Sequence, residues 1–428
     1  MKIAIVSPGS FSVPPVIGSS VEHDIQMVAK QLARDHHVIV YTKKCLEYKR
    51  STKEGKLYYK RFMFNHYDQY VEMVGKHLKK MNPDIVMVEN RPSYICRLKS
   101  FIPRVAIVLN MHSTVFSSPP TITKEEMVEV SKEVDALITN SEYLRKYFVE
   151  KYPFFNMKTF AVHLGINPDP FQKARKKEAA VARIKRELRI TERDQVLLFV
   201  GRLLKEKGLH LLLDVLPKLT EEFPRLKLII TGSPVYGRNI HTPYVKFLKQ
   251  KTNWLKNQVL FTNFIKPQHI PYIYQLADIV VIPSLWEEPF GRVNLEAMAS
   301  TKPIVASDRG GIPELVKHEQ NGCIFSIENY RQELYRSIRL LLQSKELREK
   351  FGKQGYKMVK DFSWASTAQG YYQVFQGLLT ETERVPEEPH QTSGGDGLNE
   401  GVNPVCGEGN ATPAVFLLST KDNATSSQ

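Results

Sequence analysis

A chain of 428 residues with 42% hydrophobic and 25% charged residues has the make-up of a soluble globular protein, and it is too long for one comfortable core, so two domains are expected. No run of about 18 apolar residues occurs, which excludes a membrane-spanning helix, and Cys45, Cys96, Cys323 and Cys406 lack CxxC or metal-ligand spacing, which argues for a reducing cytoplasm and against a disulfide frame or zinc site. The net charge of +15 admits nucleic acid, an anionic membrane or polymer, or anionic small substrates; no basic stripe interleaved with aromatics and no known reading module is present, which sets nucleic acid aside.

The opening Met1-Lys2-Ile3-Ala4-Ile5-Val6 is too short an apolar run for a secretory signal and reads as a first strand. Strands are predicted at 2–7, 37–41, 85–89, 106–110 and 136–139, with amphipathic helices between them, the signature of a parallel sheet. The clearest helix is 22–35, with Ile25, Val28, Ala29 and Leu32 at helical spacing. The loop before it, Pro14-Pro15-Val16-Ile17-Gly18-Ser19-Ser20-Val21, carries a single glycine. Past another strand lies Asn110-Met111-His112-Ser113-Thr114, where His112 either faces a ligand or caps local backbone. Asn140-Ser141-Glu142 follows the next, with Ser141 either an acceptor contact or a helix N-cap.

A strand near 159–164 ends in Gly165-Ile166-Asn167-Pro168, and a basic stretch follows, from Lys173, Arg175, Lys176 and Lys177 to Arg183, Lys185, Arg186 and Arg189. It reads either as a solvated helix face or as a contact for an anionic acceptor or membrane. The alternation then repeats at 196–200, 226–231, 259–261, 279–283, 303–306 and 323–325. Two Rossmann-like halves with a cleft between them follow, and ligands in such sheets bind beyond the carboxyl ends of the strands. Tyr371, Tyr372, Val374, Phe375 and Leu378 mark a last helix whose aromatics read as packing. From about residue 385 the composition turns to Pro, Gly, Ser, Thr and Asn without periodicity, which reads as a disordered tail. Its sequons at Asn410 and Asn423 carry no weight in a cytoplasmic protein.

Two constellations carry chemistry. Gly201-Arg202-Leu203-Leu204-Lys205-Glu206-Lys207-Gly208 places an Arg and a Lys five apart at a strand-to-helix turn, where they converge on one anion unless both are plain surface cations. In Ser284-Leu285-Trp286-Glu287-Glu288-Pro289-Phe290-Gly291-Arg292-Val293-Asn294-Leu295-Glu296, two carboxylates flank a Pro-Phe-Gly turn. A helix N-terminus between them offers backbone N–H groups to an anion. Acid, anion hole, acid suits a sugar nucleotide; the bland alternative is two solvated glutamates on a helix.

These segments resemble the retaining GT-B glycosyltransferases of family 4, over roughly residues 1–380. The resemblance implies an α/β GT-B fold: a first Rossmann-like domain (1–167) on the acceptor side, a second (168–360) for the nucleotide sugar, a helix (361–384) crossing back, and the tail (385–428). It implies that Glu288 holds the donor sugar and Glu296 the ribose, that Phe290, Gly291 and Arg292 approach the diphosphate, and that Arg202 and Lys207 stabilise it as it leaves. His112 is expected beside the reacting carbon, Gly18 and Ser19 near the donor phosphate, and Ile265 beside the base. Arg309-Gly310-Gly311-Ile312-Pro313-Glu314 matches a turn that either floors the donor pocket or is plainly structural. Ser19, Asn263 and Thr301 stand where the family usually has glycine.

The function implied is retaining transfer of a sugar from a nucleotide-diphosphate donor to a hydroxyl acceptor. No metal or other cofactor is expected, since no Asp-x-Asp motif appears. Val13-Pro14-Pro15-Val16-Ile17-Gly18, Glu89-Asn90-Arg91-Pro92-Ser93 and Trp286-Glu287-Glu288-Pro289 look most like spore-coat-associated glycosyltransferases of bacilli. The acceptor is then a glycan or anionic surface polymer, with peripheral membrane or coat association compatible. The rival readings are a catalytically weak coat or scaffold protein of the same fold, a phosphorylase needing a Schiff-base lysine that has no supporting context, and a nucleic-acid binder that explains the charge and none of the motifs.

Overall fold

Short Val/Ile/Leu runs bounded by turn residues bury on both faces, and they assemble two separate sheets in a computed structural model that describes residues 1–16, 19–235, 237–255 and 257–382. The first contains β1 (Lys2–Val6), β2 (His37–Lys43), β3 (Ser51–Glu54), β4 (Leu57–Phe62), β5 (Ile85–Glu89), β6 (Ala106–Met111), β7 (Ala136–Thr139) and β8 (Thr159–Ala161), in the order β3-β4-β2-β1-β5-β6-β7-β8. Every pairing in it is parallel except β3 with β4. The second contains β9 (Gln195–Val200), β10 (Leu226–Thr231), β11 (Val259–Asn263), β12 (Ile279–Ile282), β13 (Ile304–Ser307) and β14 (Gly322–Phe325), all parallel, in the order β11-β10-β9-β12-β13-β14. Strand order reverses beside β1 in one sheet and beside β9 in the other. Those two switch points are where such sheets open a ligand crevice.

The expected strands are present with small shifts at their ends, but the hairpin β3–β4 was not legible. Ser51-Thr52-Lys53-Glu54 has no apolar residue, and β4 buries alternate side chains, one of them Arg61. The two strands turn through Gly55-Lys56, with Gly55 at φ +59°. The strand expected at 159–164 stops at Ala161. Beyond it Ile166 donates its N–H to the carbonyl of Phe362, so the chain pairs with the segment leading into the last helix.

That helix, Trp364–Thr382, returns to the first sheet and packs on the helix Ser20–Leu32. Tyr371 and Phe375 are buried, Trp364 meets His23 edge-on at 5.9 Å, and Tyr372 stacks on His36 at 4.8 Å. The aromatics are packing, as the sequence reading held. The basic stretch forms two helices, Asp169–Lys176 and Glu178–Glu187, where Arg183 pairs with Glu187 and Lys185 with Glu192. Among the described residues no helix is long and apolar enough to cross a membrane. The expected tail and Gly18 lie outside the described residues.

Two of the three departures from glycine occupy left-handed backbone: Asn263 at φ +60° and Thr301 at φ +61°. Asn tolerates this region, whereas a β-branched residue there is strained. Thr301 keeps two long contacts through its hydroxyl, from Gln172 at 3.3 Å and Arg175 at 3.4 Å. Relief of the backbone outweighs their loss, so Thr301→Gly is expected to stabilise the fold by about 1 kcal/mol. In a thermal melt the variant should unfold about 2 °C above the wild type; an equal or lower Tm would remove the strain argument.

Candidate active site

The cationic turn is drawn against the acidic one by backbone packing. β9 and β12 are neighbours, so the loops leaving their carboxyl ends meet. Gly208, at φ +66°, allows the closest approach: a Cβ there would lie 1.7 Å from the carbonyl oxygen of Pro283. Leu285 and Trp286 then donate their N–H groups to the carbonyl of Glu206, at 2.8 and 3.0 Å. Lys207 is thereby delivered to Glu288, and its ammonium forms an ion pair with Oε1, which Ser284 also reaches at 3.0 Å. Arg202 is half exposed beside them and pairs with Glu206 at 3.2 Å. The structure thus joins Lys207 and Glu288 at the switch point of the second sheet, with Arg202 held on Glu206 of the same loop.

The helix Arg292–Ala299 begins at Gly291, whose φ of +79° turns the chain so that the helix starts at once. Phe290 packs its ring into the core and against His163 at 5.7 Å, so only its backbone is open to a ligand. Glu296 lies on the second turn and accepts a hydrogen bond from the Tyr274 hydroxyl at 2.8 Å. Burial raises its carboxyl above the usual range, against the opposing pull of Arg292 and of that hydrogen bond. Ile265 is partly buried, just past β11, and the neighbouring Phe264 N–H is taken by Asn239 at 3.1 Å.

The first domain supplies the opposite wall. His112 leaves β6 and is buried, with Nε2 2.8 Å from Oε2 of Glu89 and Nδ1 3.8 Å from Oδ2 of Asp24. It is therefore no backbone cap: it has two acidic neighbours that its sequence context did not reveal. Burial would strip its proton, but the hydrogen bond and charge of Glu89, then Asp24 and Glu22, outweigh that and hold its pKa above the ordinary histidine value. Asp24 is itself raised, first by burial, and the guanidinium of Arg292, reaching across from the second domain, opposes this most strongly. Ser19 gives its hydroxyl to Glu22 inside the first domain, so its side chain is already engaged.

Two alternatives are decided by geometry. Ser141 is a buried N-cap, accepting from Leu144 N–H at 3.1 Å, and so is not an acceptor contact. Glu314, ending the Gly310-Gly311 turn, crosses between domains to bind the N–H groups of Glu142 and Tyr143 at 2.9 and 2.7 Å, with His163 Nε2 2.7 Å away. Burial opposes its charge, yet the hydrogen bonds from His163 and the two amides hold its carboxyl below the usual range. That turn is an interdomain clasp.

Asp24 and Glu89 were missed from sequence. The available signal was chemical: Glu89 closes the apolar run Ile85-Val86-Met87-Val88, and Asp24 sits beside the inward face of its helix, both too buried for unpartnered acids. Four buried polar atoms also stand without a hydrogen-bond partner here or on the facing helix: Asn110 Oδ1, His112 Nδ1, Asn140 Oδ1 and Asn294 Oδ1. Such atoms mark places where a ligand or water is needed. Among the described residues no group of three or more His, Cys, Asp or Glu is placed to hold a metal ion.

Two facing Rossmann-like sheets, a helix crossing back, and cations set against acids at a switch point define a GT-B glycosyltransferase. Family models agree: Glycosyl transferases group 1 matches residues 181–358 and Glycosyltransferase Family 4 matches residues 21–170. Spore coat protein SA of Bacillus subtilis (strain 168) is 33% identical over 380 residues, covering 88% of this chain and 99% of its own. The putative glycosyltransferase YtcC of the same organism is 29% identical over 399 residues, covering 92% and 97%. Among solved structures, Anabaena Alr3699/HepE in complex with UDP matches with a TM-score of 0.71 at 22% identity, over 88% of this chain and all of that one. The chain belongs to the group 1, or family 4, glycosyltransferases and is an enzyme of that class.

The His112 site has a pH signature. A proton held more tightly in the folded state stabilises the fold fully below the unfolded value of 6.5, and that contribution is lost as pH rises through the raised folded value. Tm should therefore fall as pH rises above about 6.5, by an amount that His112→Asn removes. Parallel melts of both proteins across that range check this; identical slopes would contradict it.

Proposed function

We propose that the chain is a retaining glycosyltransferase moving a sugar from a nucleoside-diphosphate donor to a hydroxyl acceptor, without a metal. The carrying observation is the contact of Lys207 with Glu288 beside Arg202, at the carboxyl ends of adjacent strands. In the reaction Arg202, Lys207 and the amides at the start of the helix Arg292–Ala299 neutralise charge that builds on the departing diphosphate. Glu288 accepts from sugar hydroxyls and Glu296 from the ribose. Both serve as grips on the donor: Glu288 is oriented by Lys207 and Ser284, and Glu296 by Tyr274. Attack from the face the diphosphate leaves then retains configuration at the anomeric carbon.

His112 acts as a donor. Glu89 and Asp24 favour its protonated form: Nε2 lies 2.8 Å from Glu89, and Nδ1, 3.8 Å from Asp24, makes no hydrogen bond and has a proton to offer a ligand oxygen when the ring is charged. That suits it to position a hydroxyl or a sugar oxygen, and makes it a poor base. The Anabaena neighbour, also solved with UDP-glucose, supports a uridine donor as the first to test. The name of the Bacillus relative supports an enzyme working on a spore-coat or other cell-surface glycan, and keeps a catalytically weak coat protein as the second reading.

The deciding assay is release of nucleoside diphosphate from a panel of nucleotide sugars, with a chelator present. Wild type should turn over at least one donor slowly in water, and Arg202→Ala and Lys207→Ala should each lower kcat by about 10²–10³-fold. A wild type inert toward every donor, or variants equal to it, would leave the coat-protein reading standing.

A further inference from the structure

We infer that the first domain docks on an anionic lipid bilayer through the loop tips at the rim of the cleft, and that the acceptor hydroxyl is presented at that surface. The inference rests on the transferase reading only for the acceptor; the docking stands by itself. Five large apolar side chains project from loops at the carboxyl ends of the first sheet. Phe11 (43% exposed) and Val16 (46%) follow β1, Leu46 (98%) follows β2, Met63 (65%) follows β4, and Val115 (41%) follows β6. Single exposed apolar residues are ordinary, but these share one edge with the ligand crevice.

Hydrogen bonds and one cation–ring contact tie neighbouring loops of this rim together. The Phe11 carbonyl accepts from the Thr42 hydroxyl at 3.1 Å, and Lys44 N–H donates to the Phe62 carbonyl at 2.8 Å. Ser10 joins the Tyr67 hydroxyl at 3.4 Å to the Arg91 guanidinium at 3.2 Å, and Arg91 lies 3.8 Å over the Phe116 ring, beside Val115. Charge follows the same edge: the segment 43–50 carries Lys43, Lys44, Lys49 and Arg50 against one acid, Glu47. Aliphatic tips flanked by cations match a bilayer interface, where the tips enter the headgroup boundary and the cations meet lipid phosphates. A soluble anionic glycan would gain from the cations but nothing from Leu46 or Met63. The basic helices Asp169–Lys176 and Glu178–Glu187 lack such tips: among the described residues neither has an exposed large apolar side chain.

Flotation of the full chain with vesicles tests this, using phosphatidylcholine alone and phosphatidylcholine mixed with phosphatidylglycerol. Wild type should float with the anionic vesicles, and the double variant Leu46→Glu, Met63→Glu should bind them at least about tenfold more weakly. Trp254→Glu, an exposed site just before β11 at the opposite end of the second sheet, should bind as wild type. Donor hydrolysis in solution should be unchanged in the double variant, which separates failure of docking from failure of the transferase reading. Wild type that ignores anionic vesicles, a double variant that floats equally well, or equal capture by soluble polyphosphate would overturn the proposal.

Discussion

Asp24 is a carboxylate almost closed off from water, and its principal cation, Arg292, belongs to the other domain. Removing one partner from a buried pair of this kind costs about 3–5 kcal/mol, because the remaining charge has no solvent to turn to. The pair therefore fixes how the two domains face one another. Arg292 is also the first residue of the helix that begins at Gly291, so the amides at that N-terminus are positioned relative to His112 through Asp24. The N-terminus of that helix and the His112 imidazole are tied together by the same contact. Glu314 repeats the principle at the far side of the cleft, capping a first-domain helix with a second-domain carboxylate.

Within the second domain the arrangement follows from sheet order. β9 and β12 meet where the direction of winding reverses, and their loops carry the cations and the first glutamate respectively. Lys207 and Glu288 neutralise each other. Arg202 is likewise parked on Glu206, near the surface where exchange with a ligand is cheap.

The second-domain half of this candidate site was legible in the sequence because its side chains come from local segments. Gly201-Arg202 to Lys207-Gly208, and Glu288 to Glu296, are each one strand end and one turn, so spacing alone places their side chains. The first-domain half was not. Asp24, Glu89 and His112 come from three separate chain segments, and only the adjacency of β1, β5 and β6 joins them. The β3–β4 hairpin was hidden for a related reason, since its polar strand takes its stability from pairing and not from an apolar pattern. Thr301 and Asn263 stood out only as missing glycines; their left-handed backbone supplies the physical reason a glycine is usual there.

Cations, acids and a helix N-terminus at one crevice are expected to recognise a nucleoside diphosphate directly. Calorimetric titration of uridine, adenosine and guanosine diphosphates, in the presence of a chelator, tests this without requiring an acceptor. One-site binding of at least one of them is expected, weakened about tenfold or more in Glu296→Ala through loss of the ribose contact. Absence of binding by all three, or equal affinity in wild type and Glu296→Ala, would contradict it.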